Sequence, residues 1–180
     1  MSDRKQQIIS AATTLFLDEG VGVSTARIAK AAGVSNGTLF NVFATKQALI
    51  DAIYKNAKAA MFRSAPCFGE APYNRSNLRA NWDGYLGWAE KNPETRRVMH
   101  LLLDAGLASA QTQAEVYEIA APYTAWTRRA LEDGVIRGPS VSFIGQLTFF
   151  HLDLVINEGL DRAGEDLAFE MLCTSIGLTQ

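Results

Sequence analysis

Residues 24–46 read STARIAKAAGVSNGTLFNVFATK, and this stretch gives the strongest indication of the fold. Near its centre stands Gly33, a residue type that takes a positive φ without penalty, followed by Ser35, a residue type that caps helix N-termini. Apolar residues on both sides of this turn supply one small core: Ile28, Ala29, Ala32, Val34, Leu39 and Phe43. Their spacing predicts two short helices joined by a tight turn, which is a helix-turn-helix.

The second of these helices leaves a compact and mostly polar tip facing outward. The tip consists of Asn36, Gly37, Thr38, Phe40 and Asn41. In a helix-turn-helix the second helix enters the major groove of DNA. An ordinary helical hairpin would account for the core residues but not for this tip, so the pattern favours DNA binding.

The flanking segments predict two further helices. Upstream, apolar residues recur at i, i+3, i+4, i+7 and i+8: Ile8, Ala11, Ala12, Leu15 and Phe16. Gly20 follows where a C-terminal cap is expected. Downstream, Thr45 is placed to cap a long helix reaching Arg63, whose inner face is Leu49, Ile53, Ala57 and Ala60.

Together these residues resemble the N-terminal DNA-binding domain of TetR-type repressors over roughly the first third of the chain. The resemblance rests on Ile8-Ile9-x-Ala-Ala-x-x-Leu-Phe, Gly20, Ser24-Thr25-x-x-Ile28-Ala29, and Ala32-Gly33-Val34-Ser35-x-Gly37-Thr38-Leu39-Phe40-x-x-Phe43-x-x-Lys46-x-x-Leu49. It implies phosphate contacts from Thr25 and Lys46, and a contact to phosphate or a base edge from Arg27. The DNA-binding set implied in this way is Thr25, Arg27, Ser35, Asn36, Gly37, Thr38, Phe40, Asn41 and Lys46.

Two positions depart from the family pattern. Phe40 stands where the family usually has Tyr, and Val42 where it has His or Tyr. Both changes remove a group that would hydrogen-bond the DNA backbone. We therefore expect either more reliance on Lys46, helix N-termini and other basic residues, or a lower affinity.

Composition favours an intracellular protein with a basic head. The two cysteines, Cys67 and Cys173, are far apart and suit neither a disulfide framework nor a zinc site, so a cytoplasmic location and no metal or other cofactor are expected. No apolar run reaches membrane-spanning length, and residues 1–5 lead into an amphipathic helix rather than a signal segment. Residues 1–63 hold 8 Lys and Arg against 4 Asp and Glu, whereas residues 64–180 hold 9 against 15. Such a charge distribution orients the N-terminal part toward phosphates.

The sequence predicts an all-α fold in which an N-terminal helix-turn-helix domain precedes a helical ligand-binding and dimerisation domain. The Pro- and Gly-rich segment SAPCFGEAPYNR after Arg63 indicates a hinge. The predicted division is 1–46 for the DNA-binding domain, 47–63 for a connecting helix and 64–180 for the second domain. Further helices are expected near 76–91, 93–107, 110–133, 140–158 and 165–178, with Pro122 kinking or breaking the third of these.

The last two helices carry apolar residues on two faces each. In the helix that begins at 140, one apolar stripe consists of Ile144, His151 and Val155, and a second apolar stripe runs beside it along the same helix. A domain of this size covers one face with its own core, which leaves the second for a partner in a two-fold dimer. The resemblance also implies an interface on these helices, and the alternative is a fully buried central helix in a monomer. The predicted interface is Phe143, Leu147, Phe150, Leu154, Leu167, Met171 and Leu178.

Aromatic residues in the middle helices predict a small-molecule site. The candidates are Trp82, Tyr85, Trp88, Met99, His100, Leu103, Tyr117, Tyr123, Trp126 and Phe149. Aromatic side chains more often fill a core than line a pocket, but three tryptophans in one small helical domain favour a ligand cavity. The resemblance implies an effector, which we expect to be apolar or aromatic.

Two other functional classes are less well supported. An enzyme using His100 and Asp104 would need a nucleophile motif, phosphate loop or metal-ligand set, and the sequence has none. A ligand-independent DNA-binding protein would not need an aromatic-rich second domain. We therefore interpret the chain as a non-enzymatic, homodimeric repressor that leaves a palindromic double-stranded operator when a small molecule binds. The helix of residues 45–63 is expected to be the only long rigid connection between the two parts.

Overall fold

The computed structural model describes residues 3–178, and within them the chain is all helical, as predicted, with no strand. Met1 and Ser2, which belong to the predicted first domain, lie outside the described residues, as do Thr179 and Gln180 in the predicted second domain. The helices are α1 Asp3–Glu19, α2 Thr25–Ala31, α3 Asn36–Val42, α4 Lys46–Arg63, α5 Arg75–Lys91, α6 Pro93–Asp104, α7 Ala110–Glu132, α8 Val141–Glu158 and α9 Arg162–Ser175.

Side-chain caps define where several helices begin. The hydroxyl oxygen of Ser24 accepts a hydrogen bond of 3.2 Å from the backbone N–H of Arg27, and that of Ser35 accepts one of 3.0 Å from Thr38. Each serine thereby satisfies one of the N–H groups that have no partner inside the helix. At the other end of the chain, Gly159 has a φ of 61° and closes α8 in the left-handed conformation.

Pro122 does not break the helix in which it lies. α7 continues from Ala110 to Glu132 with Pro122 inside it. A proline removes one N–H donor, which here would have bonded to the carbonyl of Glu118. Both residues are exposed, so water is able to solvate that carbonyl.

The described chain forms two compact units, and they differ from the predicted division. The first unit comprises the described residues up to Ala60 together with Asn92–Glu118. The second comprises Met61–Lys91 and the described residues from Ile119 onward. α6 joins the first unit because it packs against α1, with Val98 and Leu102 fully buried. An apolar stripe predicts that one face of a helix is buried, but not which helix packs against that face. The sequence pattern therefore placed α6 in the second domain, whereas it belongs to the first unit.

Two long helices, rather than one, continue from the first unit into the second. α4 passes from one to the other after Ala60, and α7 does so after Glu118. The expectation that residues 45–63 form the only long connection is therefore wrong. Its origin is the incorrect placement of α6, which put the whole of α7 in the second domain.

In each unit the predicted core residues are mostly buried. The first unit buries four of the five upstream stripe residues, Ile8, Ala12, Leu15 and Phe16, and also buries Ile28, Leu39 and Leu49 of the helix-turn-helix and α4. In the second unit α8 buries Ile144, Leu152 and Val155, and α9 buries Phe169 and Leu172, with Ile176 buried directly after it. The guanidinium groups of Arg75 and Arg79 lie over the Phe169 ring, 5.6 and 5.1 Å from its centroid, and so join α5 to α9.

The described helices carry no membrane-spanning segment, since none is both long and apolar enough to cross a bilayer. Among residues 3–178, no group of three or more His, Cys, Asp or Glu side chains is placed to hold a metal ion.

Candidate nucleic-acid interface and ligand cavity

The turn between α2 and α3 sets the direction of the candidate recognition helix. Gly33 has a φ of 67°, and the backbone N–H of Val34 bonds at 3.0 Å to the carbonyl of Ala29. This arrangement ends α2 with a left-handed residue. Ser35 then caps α3 directly, so α3 follows α2 without any flexible linker.

The tip of α3 is open to solvent, as the sequence pattern predicts. Asn36, Gly37 and Asn41 are exposed, and Phe40 is 42% exposed. Amides of this kind form paired hydrogen bonds with adenine, and an apolar ring contacts the methyl group of thymine. The tip thus presents groups suited to reading base edges in a major groove.

Two predicted DNA contacts, Ser35 and Thr38, are already joined to each other. Their hydroxyl groups share a hydrogen bond of 2.9 Å, and the Ser35 oxygen also accepts from the Thr38 backbone. Thr38 is half-buried, whereas Ser35 is exposed. In this structure the pair therefore stabilises the first turn of α3.

The predicted phosphate contacts are partly engaged within the first unit. The Lys46 ammonium donates hydrogen bonds of 2.5 and 2.6 Å to the carbonyls of Val21 and Val23. Arg27 forms a 2.9 Å ion pair with Glu19, and both side chains are about half exposed. Thr25 is half-buried at the start of α2. Sequence reasoning missed the carbonyl partners of Lys46 because they lie 23 and 25 residues away along the chain.

The second unit contains an apolar cavity of about 40 Å³. Its walls are formed by Met61, Phe62, Ala65, Phe68, Leu78, Asn81, Trp82, Tyr85, Tyr123, Thr148, Phe149 and Leu152. Four of these, Trp82, Tyr85, Tyr123 and Phe149, belong to the predicted ligand-binding set. Sequence reasoning missed the others, although two aromatic residues gave a usable signal: Phe62 just before the Pro- and Gly-rich segment and Phe68 within it.

Two predicted ligand contacts fill the core of the second unit rather than the cavity wall. Trp126 is almost fully buried, stacks on Tyr73 with ring centroids 4.0 Å apart, and donates a 2.7 Å hydrogen bond to the carbonyl of Ala71. Trp88 packs beside Tyr85, with centroids 5.7 Å apart. Their helical spacing is the same as that of the lining residues, so the sequence does not separate the two groups.

Four predicted ligand contacts lie in the first unit and are absent from the lining of this cavity. Met99 is fully buried, His100 is half-buried, and Leu103 and Tyr117 are 48% and 59% exposed. The reason is again the packing of α6 against α1, which places these residues in the other unit. Leu103 borders a separate groove of about 400 Å³ in the first unit, with Tyr54, Leu102, Gly106, Ala108, Gln113 and Val116.

The cavity wall includes two buried hydrogen-bond donors. Trp82 Nε1 and Tyr123 Oη have no well-formed hydrogen bond among the described residues. The hydroxyls of Thr127 and Thr148 lie near that of Tyr123. Burial raises the pKa of Tyr123 above its ordinary value, so its hydroxyl stays protonated and able to donate.

Outside the cavity, α8 and α9 carry an apolar face that the second unit leaves largely uncovered. Its residues are Phe143, Leu147, Phe150, Leu154, Leu167 and Met171, of which all but the half-buried Leu147 are exposed. Leu178, the seventh predicted interface residue, is only 6% exposed and does not belong to this face. α9 ends at Ser175, and Gly177, with a φ of 69°, turns the chain so that Leu178 packs inward.

Comparison with known proteins agrees with this architecture. Residues 8–53 match the family model described as bacterial regulatory proteins, tetR family. Two similar solved structures are tetR family transcription regulators, one from Shewanella sp. PV-4 and one from Marinobacter aquaeolei VT8. The first has a TM-score of 0.83 at 19% identity and covers 96% of this chain and 97% of its own. The second has a TM-score of 0.82 at 19% identity, covering 96% and 95%.

A third similar structure is the TetR family transcriptional regulator PfmR from Thermus thermophilus. Its TM-score is 0.71 at 20% identity, and the match covers 96% of this chain and 95% of PfmR. At such identities these likenesses show the fold, while the family model identifies the DNA-binding segment. Residues 8–53 thus match the helix-turn-helix segment of the tetR family of bacterial regulatory proteins, and the chain as a whole has the fold of TetR-type transcription regulators.

Proposed function

We propose that this chain is a cytoplasmic homodimeric repressor that binds a palindromic operator and leaves it when a small uncharged molecule binds the second unit. The observation that carries the proposal is the exposed tip of α3, with Asn36 and Asn41 open to solvent on a helix capped by Ser35. An exposed polar tip on a helix held by a tight turn has no evident role in the core of the unit. It is the part of a helix-turn-helix that reads DNA.

Two recognition helices are needed for useful specificity. One α3, of 7 residues, reaches only a few base pairs, and a genome offers very many competing sites. The uncovered apolar face on α8 and α9 supports a two-fold dimer, because single soluble chains rarely leave such a contiguous patch exposed. A dimer holds its two recognition helices at a constant separation and so reads a palindrome.

The cavity supports an effector. Its walls come from α4, α5, α7, α8 and the segment before α5, and two polar donors in those walls are buried without a well-formed hydrogen bond among the described residues. Buried donors of this kind are costly unless something accepts from them. A ligand with an acceptor group removes that cost in the bound state.

The absence of Tyr at position 40 and of His or Tyr at position 42 affects how the protein holds the DNA backbone. Neither Phe40 nor Val42 carries a hydrogen-bonding side chain. We therefore propose that phosphate contacts come from Thr25, Arg27 and the third hydrogen of the Lys46 ammonium. Arg27 would exchange Glu19 for a phosphate, since an exposed ion pair contributes little.

Selection of a binding site from random duplex DNA tests the proposal. We expect an enriched palindrome whose half-sites are separated by about one helical turn. Asn41→Ala should relax the preference at one base position by about 1–3 kcal/mol and leave the others unchanged. Glu90→Ala, an exposed change in the second unit, is the control and should leave the preference intact. Selection of no sequence, or of unpaired single sites, would contradict the operator model.

A further inference from the structure

The segment between α4 and α5, residues 64–74, contributes Ala65 and Phe68 to the cavity wall, whereas the other lining residues lie on helices. Its first half is held firmly on α5. The Asn81 side chain accepts from the backbone N–H of Cys67 and donates to its carbonyl, both at 2.8 Å. The carbonyl of Ser64 lies so close to Gly84 that no Cβ would fit there.

The second half of the segment is held from α7. Trp126 Nε1 donates a 2.7 Å hydrogen bond to the carbonyl of Ala71, and the Arg129 guanidinium donates to the carbonyl of Gly69. Phe68 lies between these two sets of anchors. Its ring meets that of Tyr123 edge-on, with centroids 5.5 Å apart, and that of Trp126 at 5.9 Å. The aromatic wall is therefore completed by one side chain on a non-helical segment.

The space that remains beside Phe68 is small. A volume of about 40 Å³ holds roughly three water molecules, whereas sites for drug-sized ligands are about 300–1,000 Å³. A ring-sized molecule therefore enters only if a wall moves. Of the aromatic lining residues, Phe68 is the one whose backbone lies outside a helix, so moving it disrupts the fewest helical hydrogen bonds.

The chemistry of the lining restricts what is able to bind. None of the twelve lining residues is Asp, Glu, Lys, Arg or His, so a charged ligand would lose its hydration without compensation. Trp82 Nε1 acts only as a donor, and the Tyr123 hydroxyl is buried in the same cavity wall. The Asn81 amide is already engaged by Cys67. Among the described residues, the donor in the wall that lacks a nearby acceptor is therefore Trp82 Nε1, whereas the hydroxyl oxygen of Thr148 lies near the Tyr123 hydroxyl.

We propose that the cavity takes an uncharged, ring-sized molecule bearing a carbonyl-type acceptor, and that this molecule occupies the place of the Phe68 ring while residues 64–74 act as a lid. The carbonyl oxygen accepts from Trp82 Nε1 or Tyr123 Oη, and the ring packs against Phe62 and Phe149. This inference rests on the proposed effector site and adds the ligand class and the route of entry.

Three probes of similar size separate the ligand classes: acetophenone, which is neutral with an acceptor, ethylbenzene, which is neutral without one, and benzoate, which is charged. Calorimetric titration of the full chain without DNA should give the tightest binding for acetophenone and no measurable binding for benzoate. Tyr123→Phe should reduce the preference for acetophenone over ethylbenzene by roughly 2- to 12-fold. The matched control, Tyr54→Phe, removes a hydroxyl from a buried tyrosine of the other unit and should not change that preference.

Two variants test the lid. If the open state makes up about a tenth of the population, Phe68→Ala should tighten acetophenone about tenfold, because the competing ring is gone. Arg129→Gln removes one anchor of the segment without touching the lining, and it should raise the association rate with either neutral probe. It also serves as the deciding variant should Phe68→Ala fail to fold.

Several outcomes would overturn this inference. Benzoate binding as tightly as acetophenone refutes the uncharged class, and weaker acetophenone binding by Phe68→Ala refutes the lid. Failure of every probe to bind any folded variant refutes the site itself. Operator affinity is measured separately, so a probe that binds as expected without releasing DNA leaves this inference intact and removes only the effector role from the proposed function.

Discussion

The carboxylate of Asp51 on α4 accepts a hydrogen bond of 2.9 Å from the backbone N–H of Ser109, the residue that precedes α7. The same oxygen accepts from Gln47 Nε2 at 3.1 Å, and that nitrogen also donates to the carbonyl of Leu107 at 2.8 Å. An anion at a helix N-terminus is favourable because the unpaired N–H groups there carry partial positive charge. The connecting helix and the start of α7 are thus joined within the first unit.

Loss of the Asp51 carboxylate should loosen the start of α7. We expect Asp51→Ala to destabilise the first unit by about 1.5 kcal/mol, since a hydrogen bond to a charged group is lost. Amide hydrogen exchange should show faster exchange at Ser109 in particular. Asp18→Ala, a change at an exposed carboxylate of α1, is the control. Unchanged protection of Ser109 in Asp51→Ala would show that this bond contributes nothing to stability.

Lys46 has a role inside the protein as well as the predicted role at DNA. Lys46→Ala leaves two carbonyls, those of Val21 and Val23, without their donor, so we expect a loss of about 1–2 kcal/mol in stability. If the third ammonium hydrogen binds phosphate, the variant also weakens binding to all DNA sequences alike. The slope of log K against the logarithm of the salt concentration should then become about one unit less steep. Reduced stability with an unchanged salt slope would assign Lys46 to the fold alone.

The elements of the fold were predictable because their signals are local. The Ser24 and Ser35 caps, Gly33 and the stripe from Ile8 to Phe16 each act within one or two helical turns, and all appear where the sequence predicts them. The placement of α6 was not predictable. Val98 and Leu102 indicate a buried face, but whether that face meets α1 or α5 depends on tertiary packing.

The candidate site, too, was predictable in one part and not in another. Exposure of Asn41 and Phe40 follows from the helical period alone. The cavity does not follow from it, because Trp82 and Trp88 share one helix and one spacing, and only Trp82 lines the cavity. Phe68 escaped prediction because it lies on a segment without periodicity.

The uncovered face on α8 and α9 allows a clean test of the proposed dimer. Phe150 is 61% exposed, so Phe150→Glu should leave the second unit folded while placing an unpaired charge in the proposed interface. We expect the dimer to weaken by roughly 100-fold or more. Val135→Glu, at a 39% exposed apolar residue in the loop between α7 and α8, is the matched control. Sedimentation of the unaltered protein as a monomer at micromolar concentration would refute the two-fold assembly.

The Lys55–Glu115 ion pair in the first unit should make stability depend on pH. Its 2.5 Å contact lowers the pKa of Glu115 below its ordinary value of 4.5, first through the Lys55 hydrogen bond and then through Gln111. Because the pKa of Glu115 is lower in the folded state, the ion pair stabilises that state at pH values above the ordinary pKa. This contribution to stability is lost as the pH falls through the folded-state pKa. NMR titration should show the Glu115 pKa rising toward 4.5 in Lys55→Met but not in Lys58→Met.

The effector and the operator must act on each other equally. If a ligand of the second-unit cavity lowers operator affinity, operator DNA lowers the affinity for that ligand by the same factor, typically about 5- to 150-fold. All three tryptophans, Trp82, Trp88 and Trp126, lie in the second unit, so their fluorescence reports ligand binding there. Titration of candidate ligands with and without operator should therefore give two dissociation constants in that ratio. A ligand with equal affinity in both titrations shifts no equilibrium, however tightly it binds, and is not the inducer.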